Sequence, residues 1–367
     1  MLDGLLSNLS GTLVFIVVLG ILVLVHEWGH FITAKKCGVE VKEFAIGFGP
    51  TLWSKEHNGT NYLLKLYPLG GYVKMAGDER DKCTGDSKEF YAQSLGKRAL
   101  IVLNGPVVNF IFAYLCFVIV FMVGYPDLST RVGELTPKYP AAIAGLLEGD
   151  DIKTIDGVAI ESWTDIQSNI TESKNDKITI VLQREGSLQT LYIEPKIDKS
   201  ANIFGQMKER RIVGIGPARD LIALKYDFMT SVVKAGEKLT EITTMTYKSL
   251  WYMVTGSMST KENLTGPVGI FMIVKSAAEL GIGHLLFIMG VISASLAIFN
   301  LLPIIPLDGG HLFLMGIEKI KGSALSPKVD EYIARFGFSL IILLALFVFY
   351  NDFARFGVFE RIRAIFP

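Results

Sequence analysis

The sequence predicts a polytopic α-helical membrane protein of about four spans, with a membrane-associated β-hairpin on the cytoplasmic side and a small α+β domain outside. Three observations point there. Half of the 367 residues are hydrophobic, too many for an ordinary soluble chain. Four apolar stretches approach the roughly 20 residues that cross a bilayer. Between the second and third, the chain turns polar and carries strand and turn patterning.

The first span is expected over 12–32, the second over 99–124, the third over 285–305 and the fourth over 336–350. The first has no basic leader and no small-residue cleavage site closing its apolar run, so it reads as a retained span rather than a signal peptide. Lys35, Lys36 and Lys42 follow it, and Lys97 and Arg98 precede the second. By the positive-inside rule the 34–98 loop is cytoplasmic, and the N-terminus and residues 125–284 lie outside. Arg355, Arg361 and Arg363 make the tail more basic than this orientation favours.

Within the cytoplasmic loop, 39–49 and 61–75 read as strands, and Asn58-Gly59 between them is a hairpin turn signal. Residues 131–195 read as short strands, turns at Asp156-Gly157 and Glu185-Gly186, and a helix. The expected domains are therefore 1–124 with the hairpin at 39–75, a small domain over 125–204, a membrane-surface segment over 205–283, and the last two spans over 284–367. The surface segment rests on 219–256, where apolar clusters alternate with Lys225, Lys234, Lys238 and Glu241. Lysine plus arginine equals aspartate plus glutamate, 36 each, and no basic run interleaves with aromatics, which argues against a nucleic-acid partner. Cys37, Cys83 and Cys116 are too few and too irregular for a disulfide scaffold.

The chemistry starts at His26-Glu27-Trp28-Gly29-His30, at the end of the first span. On a helix, positions i and i+4 share a face, so two imidazoles there can bind one metal. Glu27 is displaced by about 100° and reaches a water beside the metal rather than the metal itself. Zinc lowers the pKa of a bound water toward about 7, and a carboxylate can then carry its proton to a leaving amine. Ionisable groups within a span are costly and persist chiefly for function.

Catalytic zinc takes three protein ligands, so a third must come from elsewhere. Asp308 stands in "FNLLPIIPLDGGH", where Pro303 and Pro306 break the third span and Gly309-Gly310 are expected to let the backbone turn. Irregular backbone at membrane depth is tolerated only inside protein or along a water-lined cavity, so the break itself points to a site. His311 is the rival ligand; His57 lies in a turn and His284 at the outer end of the third span. Asn300 is a neutral donor that either holds a substrate carbonyl or oxyanion or makes an interhelical hydrogen bond. Asn104 and Asn109 in "LNGPVVNF" carry the same two readings.

These motifs, with "GFGP" at 47–50, "PLGGYVKM" at 68–75 and "TGPVGI" at 265–270, occur in an order that resembles the site-2 protease family of intramembrane zinc metalloproteases, bacterial RseP-like members above all. The resemblance runs along nearly the whole chain. It implies one zinc ion held by His26, His30 and Asp308, Glu27 as base, and Asn300 in substrate or oxyanion binding. It implies that the hairpin edge, with Gly70 and Gly71, receives an unwound substrate strand, and that 128–200 is a PDZ-type module gating entry. RseP-like members carry such modules in tandem, whereas one is found here. The expected activity is cleavage of single-span proteins or peptides, such as an anti-sigma factor or a signal-peptide remnant, in the bacterial inner membrane after an upstream site-1-type cut. The rival classes are an idle PDZ adaptor, from which Glu27 would be expected to be missing, and a metal transporter, which would spread its ligands along several spans.

Overall fold

The computed structural model describes residues 2–201, 207–259, 264–324 and 326–357. Helix α1 (Leu2–Lys36) contains the expected first span and outlasts it at both ends. Lys35 and Lys36 sit in its last turn, where cations meet the helix dipole favourably, and Gly38 at φ 83° turns the chain out.

Strands β1 (Val41–His57) and β2 (Thr60–Met75) form the expected hairpin, with Asn58 and Gly59 both at positive φ in the turn. The hairpin is doubled back on itself. Residues 43–46 pair with 71–74 on one edge and with 61–64 on the other. The turn thereby returns to the end of α1, where Lys35 Nζ donates to the Asn58 carbonyl at 3.2 Å. The outer bend is left with Phe48, Leu52, Trp53, Leu64, Leu66 and Tyr67 exposed. Six large apolar side chains exposed on one hairpin are unusual on a protein bathed only in water.

Helix α2 (Leu95–Val123) carries Pro106 in its interior. The next elements are strands β3 (Tyr125–Leu128) and β4 (Val132–Leu135), helix α3 (Pro140–Ile143), strands β5 (Asp151–Ile155) and β6 (Val158–Ala159), and helix α4 (Trp163–Glu172). Strands β7 (Ile178–Arg184), β8 (Ser187–Ile193), β9 (Lys196–Ala201), β10 (Met207–Ile212), β11 (Ile215–Pro217) and β12 (Leu221–Leu224) complete the β-rich region. One sheet has the order β6-β5-β7-β8, and β9 pairs with β10, β4 with β11, and β3 with β12. Ile152, Ile155, Ile166, Ile178, Ile180, Leu182 and Ile193 form its buried core. Ser162 and Asp165 close a capping box at the start of α4. Residues 120–231 and 248–259 make up this compact unit, and the rest of the chain makes up the other.

The stretch expected as one amphipathic helix over 219–256 divides. Leu221–Leu224 is strand β12, paired with β3, and helix α5 (Phe228–Val254) begins after Asp227, whose carboxylate caps it at the Thr230 amide. Helix α6 (Pro267–Leu280) follows. Its opening amides at Gly266 and Gly269 donate to the buried carboxylate of Asp352 at 3.1 and 3.0 Å, which gives "TGPVGI" its structural role.

Helix α7 (Ile282–Asn300) stops five residues short of the expected third span, because the backbone must open before Pro303 and Pro306. Helix α8 (Asp308–Lys321) then begins at Asp308 itself. Here the expectation of a turn at Gly309-Gly310 is corrected: both are helical and buried. A Cβ on Gly309 would stand 2.2 Å from the Leu301 carbonyl oxygen, and one on Gly310 2.6 Å from the Ile304 carbonyl carbon. The glycines bring the first turn of α8 against the interrupted segment rather than bending the chain. Helix α9 (Pro327–Arg355) starts nine residues before the expected fourth span, after Ser326. Among the described residues, four helical segments, Ser10–Lys36, Leu95–Val123, Ile282–Asn300 and Lys328–Arg355, are long and apolar enough to cross a membrane.

Candidate metal centre

Three side chains from two helices meet at one point. His26 and His30 share a face of α1, and Asp308 opens α8. The two Nε2 atoms are 3.2 Å apart, and Asp308 Oδ2 stands 3.2 Å from one and 3.4 Å from the other. Donors bound tetrahedrally at zinc distances of about 2.0–2.1 Å lie about 3.3 Å apart, so this triangle has the size a zinc ion requires. Asp308 Oδ2 is buried and accepts no well-formed hydrogen bond, although two imidazoles surround it. A buried acceptor left in that state is costly unless a ligand satisfies it. The donor set, two imidazoles and a carboxylate, also suits zinc. Among the described residues no other group of three His, Cys, Asp or Glu gathers in this way.

Helix α2 supports the histidines from behind. His30 Nδ1 donates to the Ile101 carbonyl at 2.9 Å. A carbonyl only accepts, so this bond keeps the proton on Nδ1 and the lone pair on Nε2, facing Asp308. His26 Nδ1 lies 3.2 Å from the side-chain amide of Asn109. Two glycines let the helices come this close. A Cβ on Gly29 would stand 2.4 Å from the Asn104 carbonyl oxygen, and one on Gly105 would stand 2.3 Å from His30 Nε2. Any side chain at 105 would therefore take the space of the two imidazoles. The spacing Asn104-Gly105 to Asn109 in the sequence hints at this face; the Ile101 carbonyl, being backbone, leaves no mark there.

The remaining predicted residues separate. Glu27 follows His26 on α1, and β2 passes it at Gly71, where a Cβ would lie 3.4 Å from Glu27 Cγ and 2.7 Å from the Ala45 carbonyl oxygen. Gly70, at φ 110°, packs beneath the Phe48 ring. Asn104 directs its amide to the Gly29 carbonyl at 3.1 Å and to Thr33 Oγ1 at 2.5 Å, the interhelical use of the two open to it. Asn109 is fully buried, and its own carbonyl is held by the Ser293 hydroxyl of α7 at 2.9 Å. Asn300 is the last residue of α7. His311 does not join the cluster. It lines a separate cavity of about 510 Å³ with Arg80, Arg98, Glu318 and Asp330. His57 ends β1 and His284 lies in the first turn of α7.

An HExxH helix whose histidines meet a carboxylate from a second, interrupted helix, in a chain with four helices fit to span, is the arrangement of a membrane metalloprotease. The chain belongs to peptidase family M50, the site-2 protease family, which it matches over residues 14–344. It is 34% identical to "Putative zinc metalloprotease Cj1068" of Campylobacter jejuni over 93% of this chain and 92% of that one. It is 29% identical to "Regulator of sigma-E protease RseP" of Escherichia coli, covering 93% and 98% of the two chains. "Zinc metalloprotease RasP" of Oceanobacillus iheyensis is 29% identical with the same coverage, 93% and 98%. The protein is accordingly a polytopic membrane metalloprotease with a β-rich region.

Proposed function

We propose that this protein is an intramembrane endopeptidase that cuts single-span membrane proteins or peptides, with one zinc ion per chain held by His26, His30 and Asp308. The observation that carries the reading is the triangle of donor atoms with sides of 3.2–3.4 Å, contributed by two separate helices. Zinc bound there would supply Lewis-acid polarisation and would acidify a water beside it. The Glu27 carboxylate is the base that would accept a proton from the attacking water and, once the water oxygen has bonded to the carbonyl carbon, pass it to the leaving nitrogen as the C–N bond breaks. Asn300, which ends α7 ahead of the interrupted segment, donates to the substrate carbonyl as negative charge builds there.

A membrane-spanning helix has to unwind before its peptide bonds can be attacked, and its freed backbone groups then need partners. The doubled-back hairpin meets that need in this reading, with Gly70-Gly71 bringing a strand edge beside Glu27. Its exposed Phe48, Leu52, Trp53 and Leu64 suit a lipid-facing bend. The unit around residues 125–204 acts as a PDZ-type gate on the outer side of the bacterial inner membrane, and the catalytic cluster faces the cytoplasmic side. Single-span proteins already trimmed by an upstream protease, anti-sigma factors among them, and signal-peptide remnants are the substrates this arrangement suits. The relative named as a regulator of sigma-E favours the first class.

The test is Glu27→Gln in the purified protein with a transmembrane model substrate. The variant is expected to keep its zinc and lose cleavage by about 10²- to 10⁴-fold. Cleavage at the normal rate would remove Glu27 from the mechanism, and loss of zinc along with activity would make it a structural residue.

A further inference from the structure

We infer that Asn109 is the positioning residue that sets the tautomer of His26, presenting its side-chain oxygen to His26 Nδ1 and so freeing Nε2 to bind metal. The inference rests on the zinc reading above and concerns a residue outside the proposed ligand set. It also moves Asn109 away from the substrate-binding role that the sequence left open.

The two histidines are held unequally. His30 has its proton fixed on Nδ1 by a backbone carbonyl, which can only accept. His26 has an amide there instead, with Asn109 Nδ2 placed 3.2 Å from Nδ1 and Oδ1 buried without a partner. In that orientation the amide donates to Nδ1, the proton sits on Nε2, and Nε2 has no lone pair for a metal. A half-turn of the carboxamide exchanges oxygen and nitrogen without moving any other atom. Oδ1 then accepts from Nδ1–H, and Nε2 turns its lone pair toward Asp308 Oδ2, 3.2 Å away. The far end of the amide has no hydrogen-bond partner in the described structure, so the half-turn breaks no bond there. What decides the orientation is the imidazole, and metal binding selects the oxygen-facing one.

Position 109 is also held still. Its side chain is fully buried, and its backbone carbonyl accepts from the Ser293 hydroxyl of α7 at 2.9 Å. The amide therefore stays in place behind His26, so the support belongs to the packed helices α1, α2 and α7 rather than to a mobile loop.

The experiment is an equilibrium competition for zinc against a chromogenic chelator, using the full-length protein in detergent. Asn109→Leu keeps roughly the shape and removes both polar ends. It is expected to weaken zinc binding by about 10- to 100-fold, the usual loss when a ligand's supporting partner is removed. Asn109→Asp keeps an oxygen toward His26 whichever way it turns, and is expected to bind zinc within about threefold of the parent or more tightly. Zinc affinity unchanged in N109L, or a fall in folded N109D equal to that in N109L, overturns the inference. Should N109L fail to fold, Asn109→Ala takes its place with the same thresholds. His26→Ala serves as the separating control. Its loss of zinc beside an unchanged N109L would sink the role of Asn109 and leave the metal centre standing; retention of zinc by H26A would remove the metal centre and this inference together.

Discussion

The core of the β-rich unit and the cluster between α1, α2 and α8 are both buried, yet they are held by opposite means. In the first, Ile152, Ile155, Ile178, Ile180, Leu182 and Ile193 meet one another, Trp163 Nε1 is buried without a partner, and the Asp156 and Asp165 carboxylates at the margin are satisfied within the unit. Asp165 caps its own helix, and the Asp156 carboxylate takes the Ser173 hydroxyl and the Thr179 amide. In the second, the buried groups are imidazoles, a carboxylate and amides, the imidazoles and amides find partners 71 to 83 residues away, and one carboxylate oxygen is left open. The first arrangement is held by apolar burial. The second gives up stability for geometry, and recovers it only when something satisfies Asp308.

The most severe test of this difference is Asp308→Ala. It removes one of three proposed ligands and the open oxygen together, so zinc content should fall from about one per chain to near zero after dialysis against a weak chelator. The same variant should leave the β-rich unit intact, read by proteolysis or hydrogen exchange over residues 132–193. Unchanged zinc content would hand the third position to another group. Gly105→Ala comes next. The added carbon would stand 2.3 Å from His30 Nε2 and 2.9 Å from His26 Cε1. Cleavage of a model substrate is expected to fall about 100-fold, the scale of a displacement near 1 Å at a reacting centre. Activity within twofold of the parent would mean that α2 can retreat from the cluster.

The reverse perturbation is Ile180→Ala. It deletes a fully buried aliphatic side chain and should cost the β-rich unit about 2–5 kcal/mol. Zinc stoichiometry should stay unchanged, because the proposed ligands come from α1 and α8, which belong to the other unit. Measured by zinc content beside hydrogen exchange at 178–193, coupled loss of both would erase the distinction between the two regions.

What the sequence made legible follows the same division. The i, i+4 spacing of His26 and His30 and the turn at Asn58-Gly59 are local, and local rules read them correctly. Asp308 was legible because two prolines announced an interruption, although the adjacent glycines serve close packing rather than a turn. Distant partners were not legible. Leu221, Ile222 and Leu224 fit an apolar helix face equally well, and only Tyr125–Leu128, almost a hundred residues earlier, makes them a strand. Asn104 and Asn109 are alike in composition, and which of them faces Thr33 and which faces His26 depends on how α2 lies on α1. The strand pattern fits a simple pair, whereas glycines at 47, 49 and 70, all at positive φ, accompany the hairpin's folding back.

The smallest expected effect tests whether the cluster is steadied from its far end. Glu318 lies in α8, the helix that Asp308 begins. Its carboxylate accepts from Arg98 Nη2 at 2.6 Å and from Arg80 Nη2 at 3.1 Å. The Arg98 guanidinium, with Arg80 behind it, holds the Glu318 carboxyl below the usual carboxylate range. A carboxyl depressed by folding contributes stability above its unfolded pKa and loses it as pH falls through the folded value. The contribution should thus be complete at neutral pH and fade on acidification below about pH 4–5. Glu318→Gln removes the charge and keeps the shape, so thermal stability of the α-helical unit at pH 7 should drop by about 1–3 kcal/mol. Its stability should also depend less on pH through the acid range than that of the parent. Zinc affinity should weaken only a few-fold, because α8 keeps its tight glycine contacts with 301–305. A parallel acid profile in E318Q would show that the pair does not steady α8, and a loss of zinc as deep as that in D308A would make Glu318 part of the centre.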